Sequence, residues 1–565
     1  MNVLPEALEK LTSRVDALEK RVHDLEHPSE AFASSATQVS NLPPAPEITE
    51  ESPIEQVGSV FPVLGGAMLG IAGAYVLRAL AESGLVPRQA IAAVAIVYAV
   101  AWLVWSAKAR ATAPFARAIY AGTSALILAP MLWELVLRFN ILSPVLTAVV
   151  LSGFAVAATA LAWKDNLTAV LWIANGAAAL TSLALAIATH QLMPFLFALL
   201  VMVLLCEYAV VRGRGQSIRP LVAAVADVAV WALIFIYSSP ESAHTDYPAL
   251  GPAVLLSPAC LLFLIYAVSL VFKTTILERS ITVFEIVQGV IAFILVISSV
   301  LFFEPNTGTV ILGIACLLLS AACYWLAFAA FRPASEHRNF NVFAAWGAAL
   351  FLAGVLWSLP SAWAGMFLGL AALTAIVLGV RRQCTALDFH GVIYLFAAAV
   401  VSGLLEYSFR ALAGPPTAQP SWSIFLISAC AISSYAAGKE RKGEDWRQQL
   451  LHFIPALLAA CAVTALMAQG LLRLAAFVVT PDVFHVALIR TLAICSVALA
   501  LAFGGARWGR LEMTRIAYSA LVFEAAKLLF EDLRHGRMEF IAASFFLFAV
   551  TLIGVPRLTH MRHKI

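Results

Sequence analysis

LGPAVLLSPACLLFLIYAVSLVF, Leu250 to Phe272, decides the class of this fold. Twenty-three residues pass without one Asp, Glu, Lys or Arg, and a helix needs only about 20 apolar residues to cross a bilayer. A break carrying Lys273 and Arg279 follows, and the apolar text then resumes from Thr282 to Phe303. Such runs are too long and continuous for barrel strands, and open sheets cannot cross lipid. The stretch reads as one membrane helix among many.

Outward from this segment, the 565-residue chain is 62% hydrophobic and 12% charged, with a mean hydropathy of +0.89. A soluble chain carries about a quarter charged residues, so a water-soluble enzyme is excluded, as are collagen, disorder and disulfide-rich secreted folds. The net charge of +3 is too small and too dispersed to suggest nucleic acid. Beyond Val57, apolar runs alternate with short polar breaks and place about eighteen spans. They cover 58–80, 87–106, 114–138, 142–163, 167–189, 193–211, 219–238, 250–272, 282–303, 308–330, 340–358, 361–380, 389–411, 421–438, 449–474, 483–504, 514–531 and 538–556. The expected fold is all-α, a polytopic transmembrane helical bundle over 58–556 with a basic tail at 557–565. The lipid bilayer is its first partner.

Every second connection is basic. The series runs Lys108 and Arg110; Lys164; Arg212, Arg214 and Arg219; Lys273 and Arg279; Arg332 and Arg338; Arg381 and Arg382. It continues with Lys439, Arg441, Lys442 and Arg447; Arg507, Arg510 and Arg515; and Arg557, Arg562 and Lys564. Connections between them, such as Ser238 to Gly251, are nearly free of Lys and Arg. The positive-inside rule makes the basic set, and with it both termini, cytoplasmic. Arg88 and the charged connection Asp532 to Arg537 fit this orientation least well.

The N-terminal segment has no apolar core, hence no secretory signal. It carries a heptad seam instead: Leu4, Leu8, Leu11, Val15, Leu18, Val22 and Leu25. Val15 and Val22 at a, with Leu11, Leu18 and Leu25 at d, favour a parallel dimer, and Arg14–Glu19 and Arg21–Glu26 fall at attracting g and e positions. Residues 1–27 therefore read as a cytoplasmic coiled coil that self-associates, with an amphipathic surface helix as the alternative. Residues 28–57, rich in Pro, Ser and Glu, read as a disordered linker.

Charges inside hydrocarbon need a reason. Arg78, Arg138, Arg410, Arg473 and Arg490 fall in the outer third of their helices. Glu134 with Arg138, and Glu406 with Arg410, sit four apart on one helix face. Asp482 and His485 precede Arg490, and FEAAKLLFEDLR adds Glu524, Lys527, Glu531, Asp532 and Arg534. These groups form either local ion pairs sealing the bundle or a polar cavity on the outer side. In the second case the arginines suit an anionic or phosphate-bearing headgroup. Asp227 lies near mid-membrane and reads either as a proton or cation site or, the favoured expectation, as paired to a basic group on another span. Glu207 and Glu285 are expected to snorkel. His190, His390 and His452 are isolated, so no metal ligation is read from them, and no cofactor is implied. The eight cysteines lie in or beside apolar runs and read as packing thiols. Gly66 with Gly70, and Gly365 with Gly369, are G-x-x-x-G pairs for close helix approach. No G-x-S-x-G, H-E-x-x-H or Walker motif appears in a suitable context. WELVLRF in the third span and LEYSFRA in the thirteenth are either a weak internal repeat or chance similarity.

GGAMLGIAGAYVLRALAESGLVP (Gly65 to Pro87), ALAWKDNLTAVLWIANGAAALTS (Ala160 to Ser182) and AAKLLFEDLRHGRMEFIAASFFLF (Ala525 to Phe548) resemble an uncharacterised domain-of-unknown-function family. Its members are large bacterial polytopic membrane proteins with an N-terminal coiled coil. Arg78, Lys527, Asp532 and Arg534 match its polar pattern, whereas the start at Ser59-Val60-Phe61 lacks a basic residue expected there. The resemblance implies a bacterial inner membrane and no established activity. Three function classes stay open: a non-enzymatic scaffold oligomerised by the coiled coil, a transporter or flippase for an anionic or lipid-linked envelope compound, and an intramembrane transferase using Glu406, Asp482 or Glu524 as base.

Overall fold

The computed structural model describes residues 53–83, 87–109, 114–165, 167–214, 217–240, 245–330, 337–414, 419–438, 446–478, 480–533 and 537–560. The heptad seam Leu4 to Leu25, most of the linker, and Arg534 lie outside the described residues. In chain order the helices are α1 (Pro53–Ser83), α2 (Arg88–Lys108), α3 (Pro114–Trp133, continued by a π-turn Glu134–Arg138), α4 (Pro144–Asp165), α5 (Thr168–Ala188) and α6 (Leu192–Val211). Then come α7 (Arg219–Ser238), α8 (Pro252–Thr275), α9 (Val283–Phe303), α10 (Thr307–Trp325, continued by a π-turn Leu326–Ala330), α11 (His337–Ser358), α12 (Ser361–Arg382) and α13 (Thr385–Val401). The last are α14 (Leu404–Ala413), α15 (Trp422–Ala437), α16 (Trp446–Ala476), α17 (Val483–Trp508), α18 (Leu511–Lys527, continued by a π-turn Leu528–Asp532) and α19 (Met538–His560).

Each apolar segment of the sequence falls on a helix, and α1 begins at Pro53, inside the stretch read as linker. Among the described residues, fifteen helices are long and apolar enough to cross a membrane, or sixteen with α13 and α14 as one bent span. The two others are α15, with 16 residues, and α18, which carries Glu512, Arg515, Glu524 and Lys527. The protein is a polytopic membrane protein. Its chain divides after Ala72, and the contacts that follow all lie within Gly73–Ile565.

The polarity of the helices is arranged for lipid. On α8 the buried residues Leu255, Ala259, Leu262, Tyr266, Ser269 and Lys273 recur at steps of four and three, while Leu261, Leu264 and Val268 are exposed. On α9 the buried stripe contains Glu285, Gln288, Ala292 and Ser299, and Val287, Ile291 and Ile294 face outward. Apolar side chains cover the outside and the polar ones turn inward, as a bilayer solvent requires.

Small residues set the closest packing. A Cβ on Gly365 of α12 would lie 3.0 Å from the Cβ of Ser402 and 3.2 Å from its backbone nitrogen, and one on Gly369 would lie 3.3 Å from Ile427 on α15. This G-x-x-x-G pair thus seats two neighbours on one helix. The thirteenth apolar segment is not one straight helix. Gly403 takes φ +77°, a left-handed conformation that ends an α-helix, and α14 leaves α13 at 58°.

Candidate functional site

The polar residues singled out in the sequence separate into distinct groups. In the first, the order base–acid on α1 meets the order acid–base on α3. Arg78 Nη2 lies 3.0 Å from Glu134 Oε1, and Arg138 Nη1 lies 3.0 Å from Glu82 Oε1. Arg78 Nε also donates to Glu82 Oε1 at 3.4 Å. Glu134 and Arg138 share the π-turn but bond to α1. These side chains are partly solvated, so the pairs fix helix register and add little stability. Glu406 and Arg410 pair with each other along α14 at 2.5 Å, both more than half exposed. Arg473 and Asp482 are exposed, and the His485 ring packs edge-on to Phe540 at 4.8 Å. The two segments of the suspected repeat differ locally: one ends in a π-turn paired across helices, the other in a break paired along one helix.

The remaining members converge between α14, α17 and α18. Arg490 on α17 is 2% exposed. Its Nε donates to Ala411 O at 2.9 Å, its Nη2 to Arg410 O at 3.4 Å and to Gly414 O, and its Nη1 to Glu531 Oε1 at 2.6 Å. It thereby caps the carbonyls left open at the end of the half-helix α14, where the helix dipole also favours a cation. Five N–H groups on a guanidinium meet four acceptors here, which leaves one N–H on Nη1 without an acceptor among the described residues.

Behind Arg490 is Lys527. Its ammonium donates to Asp532 Oδ1 at 2.8 Å, Thr491 Oγ1 at 2.8 Å and Ala487 O at 3.0 Å, using all three protons. The Lys527–Asp532 pair depends on the π-turn. In an α-helix, residues five apart diverge by about 140°, and the wider π-turn brings them onto one face. Leu533 N–H bonds to Leu528 O in this i+5 pattern. Thr491 Oγ1, 2.7 Å from Glu524 Oε1, extends the chain of bonds.

A cavity of about 570 Å³ opens beside the cluster, with Arg490, Lys527 and Glu531 on its wall among Val486, Phe523 and Phe530. A second hollow of about 340 Å³ adjoins it, lined almost wholly by apolar groups of α14, α16, α17 and α18, including Phe409, Leu457 and Cys461. Phe523 lines both.

Another polar centre escaped the sequence reading. Glu207 and Glu285 do not snorkel: they are 2% and 7% exposed. Arg219, read as a topological anchor, reaches Glu207 through two bonds of 2.6 and 2.8 Å and Glu285 at 3.3 Å. Lys273 bonds Glu285, Ser269 donates to Glu207 at 2.6 Å, and the Thr282 N–H donates to Glu285 at 2.7 Å. The partner of Asp227 is likewise not a base. Gln288 Nε2 lies 2.8 and 2.9 Å from its two oxygens, and among the described residues Asp227 forms no ion pair. The spacing of Glu285 and Gln288, one turn apart on the buried stripe of α9, was the available signal. His390 is also engaged: its Nδ1 lies 3.0 Å from Tyr324 Oη, which is 2.8 Å from Tyr394 Oη.

No family model matches the chain, and neither a curated protein nor a solved structure is found to be similar to it. The site is therefore read from its own chemistry.

Proposed function

We propose that this polytopic membrane protein is a carrier for an amphiphile with an anionic head, bound in the paired cavities of α14, α16, α17 and α18. The single observation behind this reading is the shared Phe523 wall. On one side stand Arg490, with an N–H to spare, and Lys527; on the other is a hollow lined almost entirely by hydrocarbon. A head of one kind and a tail of the other fit such a pair of spaces. The interruption at Gly403 adds support, since carrier sites are built where membrane helices break.

A transferase finds less support: Glu524 is fully buried and Glu406 is held by Arg410. The heptad seam belongs to the same proposal as a self-association device, as do the bacterial inner-membrane location and cytoplasmic termini. The Arg78–Glu134 and Glu82–Arg138 pairs support the alternation of the first three spans, because they put the C-terminal ends of α1 and α3, two spans of equal parity, on one face.

Cys461 provides the test, as it lines the apolar hollow. Its alkylation by a membrane-permeant maleimide, followed on its own peptide by mass spectrometry, is expected to slow several-fold when phosphatidate is added to phosphatidylcholine vesicles. Arg490→Gln should remove that protection. Equal rates in the two lipids, or protection that persists in Arg490→Gln, would overturn the proposal.

A further inference from the structure

The cluster behind the cavity does not balance in charge. Three carboxyl groups, Glu524, Glu531 and Asp532, share two bases, Arg490 and Lys527. Two of the acids are well served: Glu531 takes Arg490 at 2.6 Å and Asp532 takes Lys527 at 2.8 Å. Glu524 is left over. It is 0% exposed, its nearer oxygen stands 4.0 Å from Lys527 Nζ, and its Oε2 is buried without a hydrogen-bond partner. An uncompensated charge in such a place is costly enough that the group neutralises instead.

We infer that Glu524 is a proton-binding site, holding a proton on Oε2 while its other oxygen, Oε1, is tied through Thr491 to Lys527 on the cavity wall. The bond directions select that oxygen. Lys527 spends its three protons on Asp532, Thr491 and Ala487 O, so Thr491 Oγ1 accepts from Lys527 and donates its own proton to the nearer of its two acceptors, Glu524 Oε1 at 2.7 Å against Asp532 Oδ2 at 3.5 Å. With Oε1 an acceptor, the proton belongs on Oε2. With it in place the five side chains sum to zero; its loss leaves one negative charge 4.0 Å from Lys527 Nζ.

Other titratable groups nearby leave this balance unchanged. On α17, Cys495 is close enough to feel Glu524, Arg490 is taken by Glu531, and His485 lies against Phe540. Arg537, just before α19, sits over the Phe484 ring at 5.0 Å. Among the described residues no ion pair joins Glu524 to α16 or α19. The inference stands whether or not an amphiphile fills the cavity, and it adds a dischargeable proton next to the space where a carrier would load its cargo.

The test compares amides that mimic the neutral and charged acids. Glutamine is the same size as a protonated glutamate, so Glu524→Gln should melt within about 2 °C of the parent, whereas Asp532→Asn, which strips Lys527 of its counter-charge, should melt clearly lower. Infrared spectroscopy of the parent should show the carbonyl stretch of a buried protonated carboxyl, absent in Glu524→Gln and present in Asp227→Asn. A loss of stability in Glu524→Gln as large as in Asp532→Asn would overturn the inference. So would a carbonyl band that survives Glu524→Gln.

Discussion

Replacing Arg219 by methionine should uncouple α6 from α7, and the structure sets the size of the effect. Arg219 carries two short bonds to Glu207, one longer bond to Glu285, and lies 4.4 Å from the centre of the Phe284 ring. Glu285 keeps Lys273 and the Thr282 N–H after the change. Glu207 keeps only the Ser269 hydroxyl. The damage therefore concentrates on one carboxylate, and leaving a buried charge unpaired costs about 3–5 kcal/mol. Methionine retains part of the packing, so the lower half of that range, about 3–4 kcal/mol, is expected. The assay is thermal unfolding of the detergent-solubilised protein, with Glu207→Gln and the double variant measured alongside. Because the double variant has no orphan charge, it should recover about half or more of the loss, giving a coupling of about 2 kcal/mol. If Arg219→Met melts like the parent, or the double variant loses the sum of the two singles, the buried clamp does not exist as described.

Two arginines on neighbouring elements should behave oppositely: Arg410→Ala, with its exposed partner, should change stability by less than about 0.5 kcal/mol, and Arg490→Ala should cost about 3–5 kcal/mol, both read by the same melting assay. Gln288→Leu deprives Asp227 of both its hydrogen bonds and should cost about 1–3 kcal/mol, recovered by adding Asp227→Leu, which removes the second polar partner; no recovery would mean the amide merely fills space. A Cβ on Gly403 would touch nothing within 4 Å, so Gly403→Ala isolates the backbone term and should cost about 1–2 kcal/mol. Cysteines at Ala243 and Gly443 should react with an impermeant reagent from opposite faces, and labelling of both from one face would refute the proposed orientation.

The helices were legible in the sequence because hydrocarbon imposes one requirement on every span, a long apolar run with its backbone bonded internally. The same uniformity hid the polar contacts. Arg219 and Lys273 carry two roles, marking a connection and pairing in the interior, and hydropathy registers only the first. Glu207 reads as a helix-end acid until α8 and α9 are packed against it. Arg490, Glu524 and Lys527 stood out because charge inside a span is rare. Which carboxylate each base would take depended on a π-turn at Leu528–Asp532, and no composition rule locates such a turn. Glu134 and Arg138 show the same limit: their spacing permits a local pair, yet α1 offers each of them a partner in complementary order.

The Glu207–Arg219–Glu285–Lys273 clamp also bears on how the chain enters the membrane. Glu207 and Arg219 are 12 residues apart and belong to consecutive helices, and so do Lys273 and Glu285. Each helical hairpin thus contains both members of one ion pair of the clamp, so that pair can form before the hairpins meet. Between the hairpins run the bonds from Arg219 to Glu285, Ser269 to Glu207, Gln288 to Asp227 and Arg279 to Val210 O. Docking then adds ligands to the paired ions of the clamp and supplies Asp227 with Gln288. For the four clamp residues insertion and assembly become separable steps, with each acid meeting a base inside its own hairpin before the two hairpins dock.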